Sequence, residues 1–270
     1  MGYEIYLILA GIGIFAGVMA GLLGVGGGVI IVPALVTIYS HYSAGNPYIV
    51  QTAIATSLFT IIFTALSSAH RQAKHMNVLW MHALLIGLSS SLAVFLFSRI
   101  AISLPGETLK KIFAVVVVVI SAKMLTEKKK DVSGDEKEPA EYSKALSPVT
   151  GILGGAVAAF TGLGGGLFLV PMMHYFQKIP IKKSIGTSSA AIIITSISGV
   201  ISYLINMPEN SYKINYSLGM VDTLSAIPII IASIPCAQLG VYLNKKLHQN
   251  YLTKIFGTFL LIMAVKMFFF

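Results

Sequence analysis

Two stretches of this chain, 138 positions apart, repeat each other and interrupt apolar sequence at equivalent places. Gly17 to Pro33 reads GVMAGLLGVGGGVIIVP and Gly155 to Pro171 reads GAVAAFTGLGGGLFLVP, with 8 of 17 positions identical. Glycine reaches backbone conformations that a Cβ forbids, and it is a poor helix former. Gly24, Gly26, Gly27 and Gly28 in one copy, and Gly162, Gly164, Gly165 and Gly166 in the other, are therefore expected to break what would otherwise be continuous apolar helices. Two broken hydrophobic segments at matching places in two halves point to a transporter binding site.

The surrounding sequence belongs to a bilayer. The chain of 270 residues is 56% hydrophobic and 11% charged, with a mean hydropathy of +0.82. A soluble domain carries roughly 25% charged residues. The few charges are clustered, leaving apolar runs of about 20 residues, the length that spans a bilayer. One cysteine, Cys236, excludes a disulfide framework or a cysteine metal cluster. The net charge of +9 is read as loop Lys and Arg at the cytoplasmic face, with no nucleic-acid partner. The opening MGYEIYLILAG carries Glu4 and no basic region, so it reads as a first membrane segment and not a cleaved leader.

Five segments are expected in each half. In the first half they run about 4–23, 26–40, 50–69, 78–100 and 108–125; in the second, 145–163, 164–177, 183–206, 218–243 and 251–269. The expected organisation is a first repeat over 1–125, a charged linker over 126–144 and a second repeat over 145–270. The repeat extends beyond the glycines. Ala55-Thr56-Ser57 recurs as Gly186-Thr187-Ser188, and Leu109 to Met124 matches Leu252 to Met267 at 6 of 16 positions. The fold class is thus an all-α polytopic membrane protein built from two inverted repeats, with broken or re-entrant helices at the glycine motifs.

Charge sets the expected orientation. If the first two segments leave and return to one side and the rest alternate, 14 Lys and Arg share one face and 5, Arg99, Lys110, Lys111, Lys213 and Lys266, share the other. The positive-inside rule makes the first face cytoplasmic. Both termini then lie outside, the linker is cytoplasmic, and an odd number of passes per half inverts the halves relative to each other.

The chemistry read from the residues is that of an anion site. A helix that restarts after a glycine break presents free N–H groups and the positive end of its dipole. At membrane depth such groups are tolerated only when buried in protein or lining a cavity. Close helix packing by small residues would use the same glycines. Thr56, Ser57, Thr187, Ser188 and Ser189 recur early in the third segment of each half, where their hydroxyls can donate to an oxyanion; bonding to their own helix carbonyls is the alternative. All ten acidic residues fall in loops or near segment ends, with only Asp222 approaching a segment, so no buried carboxylate for a cation is expected. His82 and His174 read as packed histidines or proton relays. No P-loop lysine motif and no nucleophile–base or metal constellation is present, so neither an enzyme nor a cofactor is expected.

At GLLGVGGGVIIVP, the following ATSL, the HRQAKHMNV loop, FTGLGGGLFLVP, IGTSS and LTKIFG the chain resembles the sulfite exporter TauE/SafE family. The resemblance covers nearly the whole chain. It implies a prokaryotic inner-membrane transporter of small sulfur-containing oxyanions such as sulfite or organosulfonates, and the first expectation is a secondary transporter that exports them. Protons stand as the coupling ion and a homodimer as the assembly to test. A passive anion channel, or a transporter of another small anion, is the alternative.

Overall fold

In the computed structural model of the chain, residues 3–42, 46–126, 142, 144–207, 217–246 and 258, 261 and 265 are described. Nine helices carry most of them: α1 (Tyr3–Leu23), α2 (Gly28–Tyr42), α3 (Ile49–Lys74), α4 (Trp80–Ser103), α5 (Gly106–Thr126), α6 (Ser147–Thr161), α7 (Gly166–Phe176), α8 (Ile181–Ile205) and α9 (Thr223–Lys246). Each falls on an expected segment. The tenth segment lies outside the described residues apart from the helical Thr258, Leu261 and Val265, and so does the linker apart from its edges.

One boundary differs. The sequence reading starts the ninth segment at Leu218, but β1 (Ser217–Leu218) and β2 (Val221–Asp222) pair antiparallel ahead of α9. Gly219, at φ +58°, turns the chain between them. Apolar content in SLGMVD resembles a helix start, while the turn depends on the one glycine.

The distribution of side chains is that of a protein in lipid. Along α4, Leu84, Leu88, Leu92, Leu96 and Ile100 are all exposed at a spacing of four, forming one apolar stripe. Inside, Thr56, Ser57, Thr60, Thr64 and Ser68 of α3 are fully buried. Water would drive the opposite arrangement. Among the described residues five helices, α1, α3, α4, α8 and α9, are long and apolar enough to cross a membrane. By contrast α2 has 15 residues and α7 has 11, short of the ~20 that a crossing requires. The chain is a multi-pass membrane protein.

The first helix of each half packs on the fourth helix of the other. Glycines let them touch backbone to backbone. A Cβ on Gly13 or Gly17 of α1 would lie 2.6 Å from the Ile229 carbonyl oxygen or 2.5 Å from that of Ser233, both on α9. A Cβ on Gly151 or Gly155 of α6 would lie 2.5 Å from the Ile86 carbonyl oxygen or 2.3 Å from that of Ser90, both on α4. These four contacts join residues at equivalent positions of the sequence repeat. They bring α3 and α8 together between the two helix pairs.

Candidate functional site

The glycine motifs are helix breaks. Helix α1 stops at Leu23 and α2 starts at Gly28; α6 stops at Thr161 and α7 starts at Gly166. Between them Gly24, Gly26 and Gly27 have φ of +69°, +75° and +84°, and Gly162, Gly164 and Gly165 have φ of +69°, +65° and +82°. The two copies share one conformation, position by position. Left-handed backbone costs any residue with a Cβ roughly 1–2 kcal/mol, which is why glycine stands at three of four places in a row. Gly28 and Gly166 have ordinary helical backbone, and the reason for glycine there is contact. A Cβ on Gly28 would lie 2.6 Å from the Gly162 carbonyl oxygen, and one on Gly166 would lie 2.7 Å from the Gly24 carbonyl oxygen. The two breaks therefore meet, backbone against backbone, and two helix starts converge on one place.

The hydroxyls of α3 and α8 hold this junction, each reaching into the opposite half. Ser57 donates to the Gly162 carbonyl at 2.9 Å, and Ser188 donates to the Gly24 carbonyl at 3.0 Å. Thr56 Oγ1 accepts the Asp222 N–H at 2.9 Å, just before α9, and Thr187 Oγ1 accepts the Leu79 N–H at 3.0 Å, just before α4. Two turns further on, the Thr64 and Ser233 hydroxyls bond at 2.8 Å, and the Thr195 and Ser90 hydroxyls bond each other at the equivalent place. Ser67 donates to the Ile234 carbonyl at 2.7 Å, and Ser198 to the Ser91 carbonyl at 2.9 Å. Each bond has its partner at the repeat-equivalent residues. Of the five hydroxyl residues singled out from sequence, Ser189 alone bonds its own helix, at the Ile185 carbonyl 3.0 Å away, and it also faces Ser68 at 3.2 Å.

Two isoleucines cover the junction. A Cβ on Gly26 would meet Ile61 Cγ2 at 2.9 Å, and one on Gly164 would meet Ile192 Cγ2 at 2.8 Å. Ile61 of α3 and Ile192 of α8 are again repeat equivalents, and both are fully buried. In this conformation the breaks are packed, not open. Ser196, one turn beyond Ile192, is fully buried with its Oγ unpartnered, and a Cβ on Gly164 would lie 3.2 Å from that oxygen.

A buried carboxylate lies beside Thr56, which corrects the expectation that none exists. Asp222 is fully buried. Its Oδ2 accepts the Tyr39 hydroxyl at 3.0 Å and the Ser225 hydroxyl at 2.5 Å, and its Oδ1 accepts the N–H groups of Leu224 and Ser225 at 3.1 and 3.3 Å. It caps α9 with every lone-pair direction used. Tyr39 stands 183 positions away in sequence, so nothing local marks the pair. His174 is a packed histidine, its Nδ1 3.0 Å from the Ile179 carbonyl oxygen, and His82 is buried in α4.

Two cavities open at opposite ends of α3. One, of about 690 Å³, is lined by Tyr48, Gln51, Arg99, Ser103 and Asn206 among others. The other, of about 190 Å³, is lined by Gln72, His75, Asn77, Lys182, Val241 and Asn244. Gln51 corresponds to Lys182 and Asn206 to His75 at the 131-residue offset, so the cavities occupy equivalent places in the two halves. From Gln51 to Gln72 the helix rises roughly 30 Å, the thickness of a bilayer core. Neither cavity is lined by the glycine breaks.

Comparison with known proteins places this architecture. The chain is 33% identical over 261 residues to a probable membrane transporter protein of Haemophilus influenzae, covering 95% of this chain and 96% of that one. It is 29% identical over 258 residues to one of Methanocaldococcus jannaschii, covering 95% and 92%. It is 26% identical over 280 residues to one of Bacillus subtilis, YunE, covering 97% of each. No solved structure matches. The family model described as Sulfite exporter TauE/SafE matches residues 9–267, and the chain belongs to that family of membrane transporters.

Proposed function

We propose that the protein is a secondary transporter that exports small sulfur-containing oxyanions, sulfite or organosulfonates, and that the anion binds where the two glycine breaks meet. The observation that carries this reading is the convergence of two helix starts, α2 and α7, on each other's break with Ser57 and Ser188 bonded to the break carbonyls. Helix starts attract anions through their N–H groups and dipoles. Gly24, Gly26, Gly27, Gly28, Gly162, Gly164, Gly165 and Gly166 then form the backbone of the site, and Thr56, Ser57, Thr187, Ser188 and Ser189 are its hydroxyls. Ile61 and Ile192 swing aside to admit the ligand. The halves run in opposite senses through the inner membrane of a prokaryotic cell, with both termini outside and the linker cytoplasmic. Protons couple the cycle.

The test is sulfite flux in proteoliposomes of purified protein. A carrier gives saturable flux, driven uphill by an imposed proton gradient and abolished by a protonophore. Downhill, unsaturable flux would make the protein a channel, and no flux for sulfite or any sulfonate of a panel would remove the substrate class.

A further inference from the structure

The larger cavity holds a buried acceptor that no protein group pairs. Gln51 lies at its wall and is only 1% exposed. Its Nε2 donates to the Leu104 carbonyl at 2.8 Å, which fixes the amide orientation, since the flipped amide would set oxygen against oxygen. The other amide atom, Oε1, is buried and has no hydrogen-bond partner in the protein. A buried acceptor left without a donor costs about 1–3 kcal/mol, so such atoms mark places where something else supplies the donor. Arg99 is the one charged residue among the described residues lining the same cavity. Its guanidinium lies 5.4 Å from the centre of the Phe95 ring and is exposed, with five donors suited to an oxyanion. The repeat-equivalent cavity has Lys182 where this one has Gln51, so among the described lining residues an unpaired buried acceptor beside a guanidinium occurs at this end and not at the other.

We propose that the Gln51–Arg99 cavity is a second binding site, and that it selects oxyanions carrying a hydrogen-bond donor of their own: hydroxy- or aminoalkanesulfonates in place of simple alkanesulfonates. The guanidinium takes the sulfonate, and Gln51 Oε1 accepts the substrate's O–H or N–H. Tyr48, Ser103 and Asn206 also line the cavity. This deepens the oxyanion reading and rests on it, but it concerns a different set of residues from the glycine breaks.

The experiment compares two probes of nearly equal size and charge, 2-hydroxyethanesulfonate and 1-propanesulfonate, by calorimetric titration of the full-length protein in detergent. The native protein should prefer the hydroxy compound by about fivefold, the worth of one hydrogen bond. Gln51→Met keeps the volume and removes the acceptor, and should erase the preference while leaving 1-propanesulfonate affinity in place. Arg99→Gln, at an exposed position that does not threaten folding, should weaken both probes by the same factor, about tenfold. Equal binding of the two probes to the native protein, a preference that survives Gln51→Met, or no effect of Arg99→Gln would each overturn the proposal. Sulfite flux measured on the same preparation separates the two readings: flux intact with neither sulfonate bound removes this site and leaves the transporter.

Discussion

Replacing Gly165 by alanine puts a methyl group where the chain has no room for one. The residue has φ +82°, and its Cβ would lie 2.7 Å from the Gly154 carbonyl oxygen and 3.1 Å from the carbonyl carbon. These are backbone atoms of α6, which cannot retreat because Gly151 and Gly155 already lie against the backbone of α4. The left-handed conformation contributes about 1–2 kcal/mol and the overpacking about 1–3, so the loss should be about 2–5 kcal/mol. Gly27→Ala, at φ +84° with Ala16 O at 2.9 Å, should follow with a somewhat smaller loss. Gly11→Ala is the control: it sits inside α1 with nothing within 4 Å of the added carbon, and should be neutral or stabilising by up to about 1 kcal/mol. Denaturant unfolding of the three purified variants, followed by circular dichroism, reads the difference. If Gly165→Ala proves as stable as Gly11→Ala, the break is not held as described, and the argument from converging helix starts fails with it.

Further expectations follow from the cross-repeat bonds. Ser57→Ala and Ser188→Ala each strip a buried glycine carbonyl of its donor and should destabilise by about 1–3 kcal/mol, to similar extents, in the same unfolding assay. Thr64→Val and Ser233→Ala should be non-additive, with a coupling of about 0.6 kcal/mol in a double-mutant cycle, whereas Thr64→Val with Ser90→Ala, which share no bond, should add. Asp222→Ala removes the acceptor of four donors and should cost more than Tyr39→Phe, which removes one of them; thermal unfolding of both variants checks the order. Thr56→Val and Thr187→Val keep shape while deleting the acceptors of the Asp222 and Leu79 amides; if they also touch the anion, sulfite affinity by calorimetry should fall roughly tenfold.

The helices were legible because the apolar runs are bounded by charge and glycine. Nine of the ten expected segments coincide with helices to within a few residues at their ends, and the conformational break falls at the glycines that mark it. What the sequence concealed is pairing over distance. Nothing near Ser57 names the Gly162 carbonyl as its acceptor, 105 positions away, and local spacing offered only the α3 carbonyls as partners. Asp222 shows the same limit from the other side. A lone aspartate before an apolar segment reads as a solvated helix cap until Tyr39 and Thr56 are seen to enclose it. Ile61 and Ile192 were invisible as a pair because isoleucine in an apolar helix carries no signal of its own. Only the constant offset of 131 between α3 and α8 relates them.

In the proposed inverted arrangement the two halves run in opposite senses, and the equivalent cavities at the ends of α3 face opposite sides of the membrane. Arg99 marks one cavity and Lys182 the other, and both side chains are exposed. The direct measurement places a single cysteine at each position, Arg99→Cys or Lys182→Cys, in a Cys236→Ala background, and labels intact cells with a membrane-impermeant thiol reagent. Position 99 should label in intact cells and position 182 only after permeabilisation. Equal labelling of both positions in intact cells would contradict the inverted arrangement, and labelling of position 182 alone would contradict the orientation.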